Sequence, residues 1–337
     1  MTRSLKAIAL ALVLSASAQH AHAWGATGHR MIAVLGVKAL GPDLPAFLKT
    51  PQNIAEIGEL AREPDRSKGS GRVHDSMRDP AHFLNLDDAG KIGGVVPLDP
   101  LMATRADYDR ALAAAGTDST KMGYLPYAII DGWQQLTKDL AYWRAVTLAI
   151  PRAKSPEQRA WLKADLARRQ TLIIHNLGVW SHYIGDASQP LHVSIHHNGW
   201  GDGPNPKAYT LDRTLHSRFE GDFVRQNISP QKVEAAMAAP TDCGCTIEAY
   251  SLAYLKATAS QVEPLYALEQ AGGLNPGDAR GKVFVTARLA AGAVSLRDLV
   301  TMAWQASKTT AVGWPALSLA DIESGKVDAF PSLIGQD

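Results

Sequence analysis

The stretch "WSHYIGDASQPLH", Trp180–His192, decides how this chain is read. It closes a strongly helical run that starts at Pro156 and sets His182 and Asp186 four residues apart. On a helix, residues i and i+4 share a face with Cβ atoms about 5–6 Å apart, near enough for one metal ion to bind both. Gly185 allows close backbone approach, and Pro190 ends the helix ahead of His192. The pattern His-x3-Asp-x5-His is a helix pair plus a third ligand just past a turn.

Working outward, "TLHSRFEGD" (Thr214–Asp222) supplies a second i, i+4 pair, His216 and Glu220. One such pair on a solvated helix is commonly no more than an ion pair; two of them with His192 between are harder to explain that way. Imidazole and carboxylate suit zinc, and no thiolate is offered. Upstream, "LAREPDRSKG" provides Asp65 and Lys68, and "DPAHFLNLD" provides His82, Phe83 and Asn85. Taken alone, Lys68 reads as a loop lysine and Phe83 as a core residue.

Helical periodicity dominates the chain and alternating strand-like runs are scarce. Helices are expected over Ile54–Arg62, Leu125–Ile150, Pro156–Ile184, Arg213–Val224, Ser229–Ala238, Ile247–Leu268 and Gly281–Gln305. Glycine, aspartate and proline mark loops from Asp87 to about Pro100 and from Asn198 to Pro206. There is no internal repeat or long polar linker, so the expected fold is a mainly α, single-domain helical bundle with loop insertions. Hydrophobic residues make up 46% of the chain, enough for a sizeable core.

The N-terminus has the layout of a secretory signal peptide: Arg3 and Lys6, an apolar run from Ala7 to Leu14, then small residues ending in Ala21-His-Ala23. Cleavage after Ala23 would expose Trp24 as a free α-amine and leave a domain over residues 24–337. The protein is therefore expected to be exported, periplasmic or secreted, with no transmembrane segment. The mature chain carries 32 basic and 33 acidic residues, which argues against a broad basic surface for duplex DNA. Cys243 and Cys245, the two cysteines, make either a short local disulfide or two inert thiols. The Gly199–Gly203 loop lacks the Lys-Ser/Thr ending of a phosphate-binding loop, and no G-x-S-x-G elbow supports a serine hydrolase.

Taken together, Trp24, Asp65, His82, "HYIGDASQPLH" and "HSRFE" resemble the zinc-dependent phosphodiesterases that include the fungal single-strand-specific nucleases and the bacterial zinc-dependent phospholipases C. The resemblance runs from Trp24 to Glu220. It implies three zinc ions: one on Asp65, His82, His182 and Asp186; a second on the Trp24 amine and carbonyl, His29 and a bridging Asp186; a third on His192, His216 and Glu220. Asp75 and Asp79 compete with Asp65 for its position. The resemblance also implies that Lys68 supplies a cation near the reacting phosphate, that Phe83 stacks on a base and that Asn85 reads the base edge. The expected reaction is in-line hydrolysis of a phosphate ester, with zinc lowering the pKa of a shared water.

Substrate class is the open question. Glu220 and Gly221 stand where the nucleases usually carry Asp and Asn, and "HSRFE" is similar to the phospholipases. The His82–His182 interval is longer than in the nucleases, which implies an insertion over about residues 87–130. The short run from Trp24 to His29 and the His192–His216 interval are nuclease-like. The reading is a single-strand-preferring endonuclease and 3′-nucleotidase on DNA and RNA giving 5′-phosphates. A phospholipase C acting on phosphatidylcholine-like lipids is the alternative, and a non-catalytic zinc-stabilised binding protein the second. For other residues, His196 and His197 are expected to face solvent and His175 to lie in the core or behind the metal ligands. The Trp200 ring is a further possible stacking surface.

Overall fold

Hydroxyl caps followed by proline start several of the helices, and they set element boundaries that hydrophobic periodicity misses. Thr50 Oγ1 accepts from Asn53 N ahead of Pro51, and Ser155 Oγ accepts from Gln158 N ahead of Pro156. Each cap is worth about 1 kcal/mol. The computed structural model describes residues 24–335 apart from residue 202. The expected leader Met1–Ala23 lies outside the described residues.

The chain begins with α1 (Ala26–Lys38), α2 (Pro51–Leu60), α3 (Glu63–Arg66) and α4 (Arg72–Arg78). A small antiparallel ribbon, β1 (Lys91–Ile92) with β2 (Val96–Pro97), precedes α5 (Arg105–Ala114) and α6 (Ser119–Met122). The long helices α7 (Leu125–Ala149) and α8 (Pro156–Asp186) pack on each other. Then come α9 (Leu215–Ser217), a π turn (Arg218–Phe223), α10 (Val224–Asn227), α11 (Pro230–Ala236), α12 (Ile247–Ala259) and α13 (Val262–Gln270). The last elements are α14 (Ala279–Ala306), α15 (Leu319–Ser324) and α16 (Phe330–Ile334). The protein is mainly α, as its periodicity predicts, and no helix among the described residues is long and apolar enough to cross a membrane.

The expected helix Ile247–Leu268 is two helices, because Pro264 has no N–H to give the Ser260 carbonyl and the chain restarts at Val262. Helix α1 escaped the periodicity reading, since its glycines resemble breakers. A Cβ on Gly36 would come 2.9 Å from Leu296 Cδ2 and 3.0 Å from the Ala293 carbonyl oxygen, so this glycine lets α1 pack tightly on α14. Helix α5, inside the expected insertion, was missed as well. Its start is a capping box in which Thr104 and Asp107 bond each other's backbone N–H.

Two apolar cores meet near the end of α8. Ile184 and Ala187 belong to one with α7, α2 and α12; Trp24, Leu191 and Phe219 belong to the other with Leu289 of α14. His182, Asp186, His192 and Glu220 alternate in sequence with those residues, so the seam between the cores is where the polar groups gather. Cys243 and Cys245 are joined in a disulfide.

Candidate metal centre

Helix α8 presents His182 and Asp186 on one face, both fully buried. Helix α1 lies across them. A Cβ on Gly185 would fall 2.9 Å from His29 Nδ1, and without one the His29 ring stacks on His182 with centroids 3.7 Å apart. His29 Nε2 stands 3.4 Å from Asp186 Oδ1. On the other side of Asp186, the Asp79–His82 turn brings His82 Nδ1 to 3.1 Å from Oδ2. Asp65, at the end of α3, closes this group: its Oδ1 is 3.9 Å from His82 Nδ1 and 3.8 Å from His182 Nε2. Lys68 Nζ caps the same oxygen at 2.6 Å. Asp75 instead pairs with His74, 2.9 Å away, and Asp79 lies in the cleft wall.

The third group forms beyond Pro190. His192 Nε2 is 3.8 Å from Glu220 Oε2, and His216 Nε2 is 2.8 Å from the same oxygen. His216 sits on α9 and Glu220 on the π turn that follows, a helix irregularity often found at functional sites. Within each of three sets, His29/His182/Asp186, Asp65/His82/His182 and His192/His216/Glu220, one donor atom per residue lies within 4.8 Å of the others. Trp24 is wholly buried beside the first set, its indole Nε1 donating to Ser188 Oγ at 2.8 Å and its ring 5.3 Å from Phe219.

Backbone carbonyls set the orientation of two rings. Nδ1 of His182 donates to the Ala61 oxygen at 2.7 Å, and Nδ1 of His192 donates to the His82 oxygen at 2.6 Å. A carbonyl only accepts, so in each ring Nε2 keeps its lone pair and points it into the cluster. Gln189 holds Glu220 from behind, Nε2 to Oε2 at 3.1 Å, while its own Oε1 accepts from Leu191 N. The orienting residues Ala61, Gln189 and Ser188 carry no sequence signal apart from proximity to the ligand motif.

Burial dominates the electrostatics. It pushes the His29, His82 and His192 imidazoles well below their usual pKa, so they stay neutral; it raises Glu220, and Asp186 well above the carboxylate range. Several of these buried atoms have no hydrogen-bond partner among the described residues: both His29 nitrogens, Asp186 Oδ1, His192 Nε2 and His216 Nδ1. Unpartnered buried polar atoms are costly, on the order of 1–3 kcal/mol each. Imidazoles and carboxylates converging in threes, several of their buried atoms without a partner among the described residues, are a donor set that fits divalent cations.

A cleft of about 480 Å³ opens over the donors, with His82, His192 and His216 in its lining. Lys68, Phe83, Asn85 and Lys121 stand around it. Phe83 and Asn85 are half-buried, and Asn85 Nδ2 donates to the Lys121 carbonyl at 2.7 Å. Lys121 was not among the residues the sequence singled out.

Three expectations outside the clusters are corrected. His196 is buried, not solvent-facing: its ring stacks on Trp200 at 3.9 Å and its Nε2 lies 3.1 Å from Asp88 Oδ1. Trp200 is thereby packed inside with Tyr266 and Tyr209 and offers no ring to a ligand. His175 is exposed beside Asn176: it lies nearly two full turns before His182 on almost the same face of α8, but at that level the face is open to solvent. His197 is half-buried and lines the cleft.

Among known proteins, no family model matches the chain and no curated protein matches it. A similar solved structure is that of Clostridium perfringens alpha-toxin isolated from avian strain SWCP, at 13% identity and a TM-score of 0.42. The likeness covers 85% of this chain and 67% of that one.

Proposed function

We propose that this chain is an exported zinc-dependent phosphodiesterase whose substrate is single-stranded nucleic acid or a 3′-nucleotide. The observation that carries this reading is the three sets of imidazole and carboxylate donors converging below a cleft that also holds Lys68, Phe83 and Asn85. Imidazole and carboxylate without thiolate suit zinc, and three ions match three donor sets. Asp65, His82, His182 and Asp186 would hold one. His29, Asp186 and the Trp24 amine and carbonyl, freed by cleavage of the leader, would hold the second, and His192, His216 and Glu220 the third. When bound, zinc supplies Lewis acidity and an ionisable water at neutral pH.

The chain's own residues do the rest. Asp65 and Lys68 form a pair at the edge of the clusters, so the ammonium is held where a non-bridging phosphate oxygen enters. The His182 and His192 rings keep their Nδ1 protons on the Ala61 and His82 carbonyls, which prevents either ring from turning as charge develops. Phe83 gives a face for stacking an unpaired base, worth about 1–3 kcal/mol per base. Asn85 commits one amide N–H to Lys121 and keeps Oδ1 as an acceptor for a base-edge donor.

The test is to assay purified mature protein of known metal content on single-stranded DNA, RNA, a 3′-nucleotide and phosphatidylcholine. About three zinc ions per chain and 5′-phosphate products from the nucleic acids are expected. Cleavage of the lipid alone would make the chain a phospholipase C, in line with "HSRFE"; a full zinc complement with no hydrolysis would make it a binding protein.

A further inference from the structure

We propose that Lys121, carried by the inserted segment, binds a phosphate other than the one being cleaved and so selects substrates with more than one phosphate. The inference rests on the nuclease reading above and deepens it.

The inserted residues form a built rim. Asn85 N bonds the Met122 oxygen at 2.8 Å, Tyr124 N the Pro80 oxygen at 2.8 Å and Leu125 N the Phe83 oxygen at 3.2 Å. The Tyr124 hydroxyl bonds the Met77 oxygen, and the buried Tyr108 hydroxyl bonds the Gly123 oxygen at 2.7 Å. Gly123 has φ +77°, and a Cβ there would overlap the Phe83 carbonyl, so the two strands of chain meet closer than any other residue permits. Lys121 is thereby fixed two residues from this contact, its carbonyl held by the Asn85 side chain.

The Lys121 side chain remains 69% exposed in the cleft wall. Asp118, the nearest carboxylate, is 3.8 Å away, and its Oδ1 is engaged at the start of α6 with the N–H groups of Thr120 and Lys121. Lys68, by contrast, is half-buried and paired at 2.6 Å with Asp65 inside the donor clusters. One lysine is therefore tied to a carboxylate of the donor clusters, while the other is carried by the chain that bonds Asn85 and leaves its ammonium to the cleft. With a base stacked on Phe83 and its scissile phosphate at the donor clusters, Lys121 is the cation of the cleft lining left for a neighbouring phosphate. The cation of a choline head group finds two ammonium groups in this wall and gains nothing from Lys121.

The experiment uses the full metal-loaded chain with Lys121→Ala and Lys121→Arg. Substrates are a short single-stranded oligonucleotide and bis(4-nitrophenyl) phosphate, which has one phosphate. Lys121→Ala is expected to raise KM for the oligonucleotide several-fold with kcat unchanged, to leave the one-phosphate ester unaffected, and to be restored by Lys121→Arg. For binding of a slowly hydrolysed phosphorothioate oligonucleotide, the slope of log Kd against log salt should fall by about 0.7, the share of one phosphate on a single strand. Equal losses on both substrates, an unchanged salt slope, or no oligonucleotide binding by the wild type would overturn the proposal. Binding that depends on Lys121 without any strand cleavage would instead overturn the nuclease reading and leave this inference standing.

Discussion

The floor of the cleft and its rim satisfy their polar groups in opposite ways. In the floor, His29, Asp186, His192 and His216 are buried with nitrogen or oxygen atoms that no described residue bonds. In the rim, Asp107 is bonded by the hydroxyl and the N–H of Thr104, and Asp118 by Thr120 and Lys121, all within a few residues and open to water. The helix caps of the rim are complete by themselves, whereas the floor gathers donor sets fit for a cation. A cation should therefore matter greatly to the floor and little to the rim.

The largest effect should come from Asp186, whose oxygens lie 3.4 Å from His29 Nε2, 3.4 Å from His182 Nε2 and 3.1 Å from His82 Nδ1. With Asp186→Asn, metal content is expected to fall from about three ions per chain to about one, with hydrolysis lost. His216→Ala should remove only the ion of its own group. Metal analysis of both variants checks this, and equal losses from the two would show that Asp186 is not shared. Without metal the order reverses: burial already disfavours the Asp186 carboxylate, so metal-free Asp186→Asn should resist urea at least as well as metal-free wild type.

The same contrast explains what could be read from the sequence. His182 with Asp186 and His216 with Glu220 were legible because helical periodicity fixes which side chains share a face. That His29 reaches Asp186 was not legible from spacing, since it depends on α1 crossing α8 at Gly185; only the family resemblance placed it there. The rim was seen as an insertion without content. Its order comes from a capping box, a positive-φ glycine and backbone bonds to residues some forty positions away, such as Asn85 N to Met122 O. The Thr104-x-x-Asp107 pattern was the available local signal for α5. Lys121 had none, because its meaning lies wholly in where the Gly123 contact puts it.

A rim defect of intermediate size separates the two regions. Gly123→Ala places a Cβ at positive φ against the Phe83 carbonyl, a conformation costing about 1–3 kcal/mol. Equilibrium denaturation should show that loss, and KM for an oligonucleotide should rise as Phe83, Asn85 and Lys121 shift. Metal content should stay at the wild-type value. Zinc lost together with rim order would mean that floor and rim are one cooperative unit.

The smallest effect belongs to Thr104, which caps α5 and does not line the cleft. Thr104→Ala removes an N-cap and should cost about 1 kcal/mol, with metal content and rate unchanged. The cap has two halves that respond differently to acid. Thr104 Oγ1 accepts from Asp107 N at 3.1 Å, which is independent of pH in this range. The Thr104 hydroxyl and N–H also donate to Asp107 Oδ2; the hydroxyl bond first, then the nearby Arg110 charge and the N–H bond, hold the carboxyl below its usual pKa. A depressed carboxyl pKa stabilises the fold above the unfolded value of about 3.9, and the contribution disappears as pH falls through the folded value. The difference between wild type and Thr104→Ala should accordingly shrink, without vanishing, when unfolding is measured at neutral pH and again below about pH 3.9. A difference that stays constant with pH would assign the whole cap to the hydroxyl acceptor and none of it to Asp107.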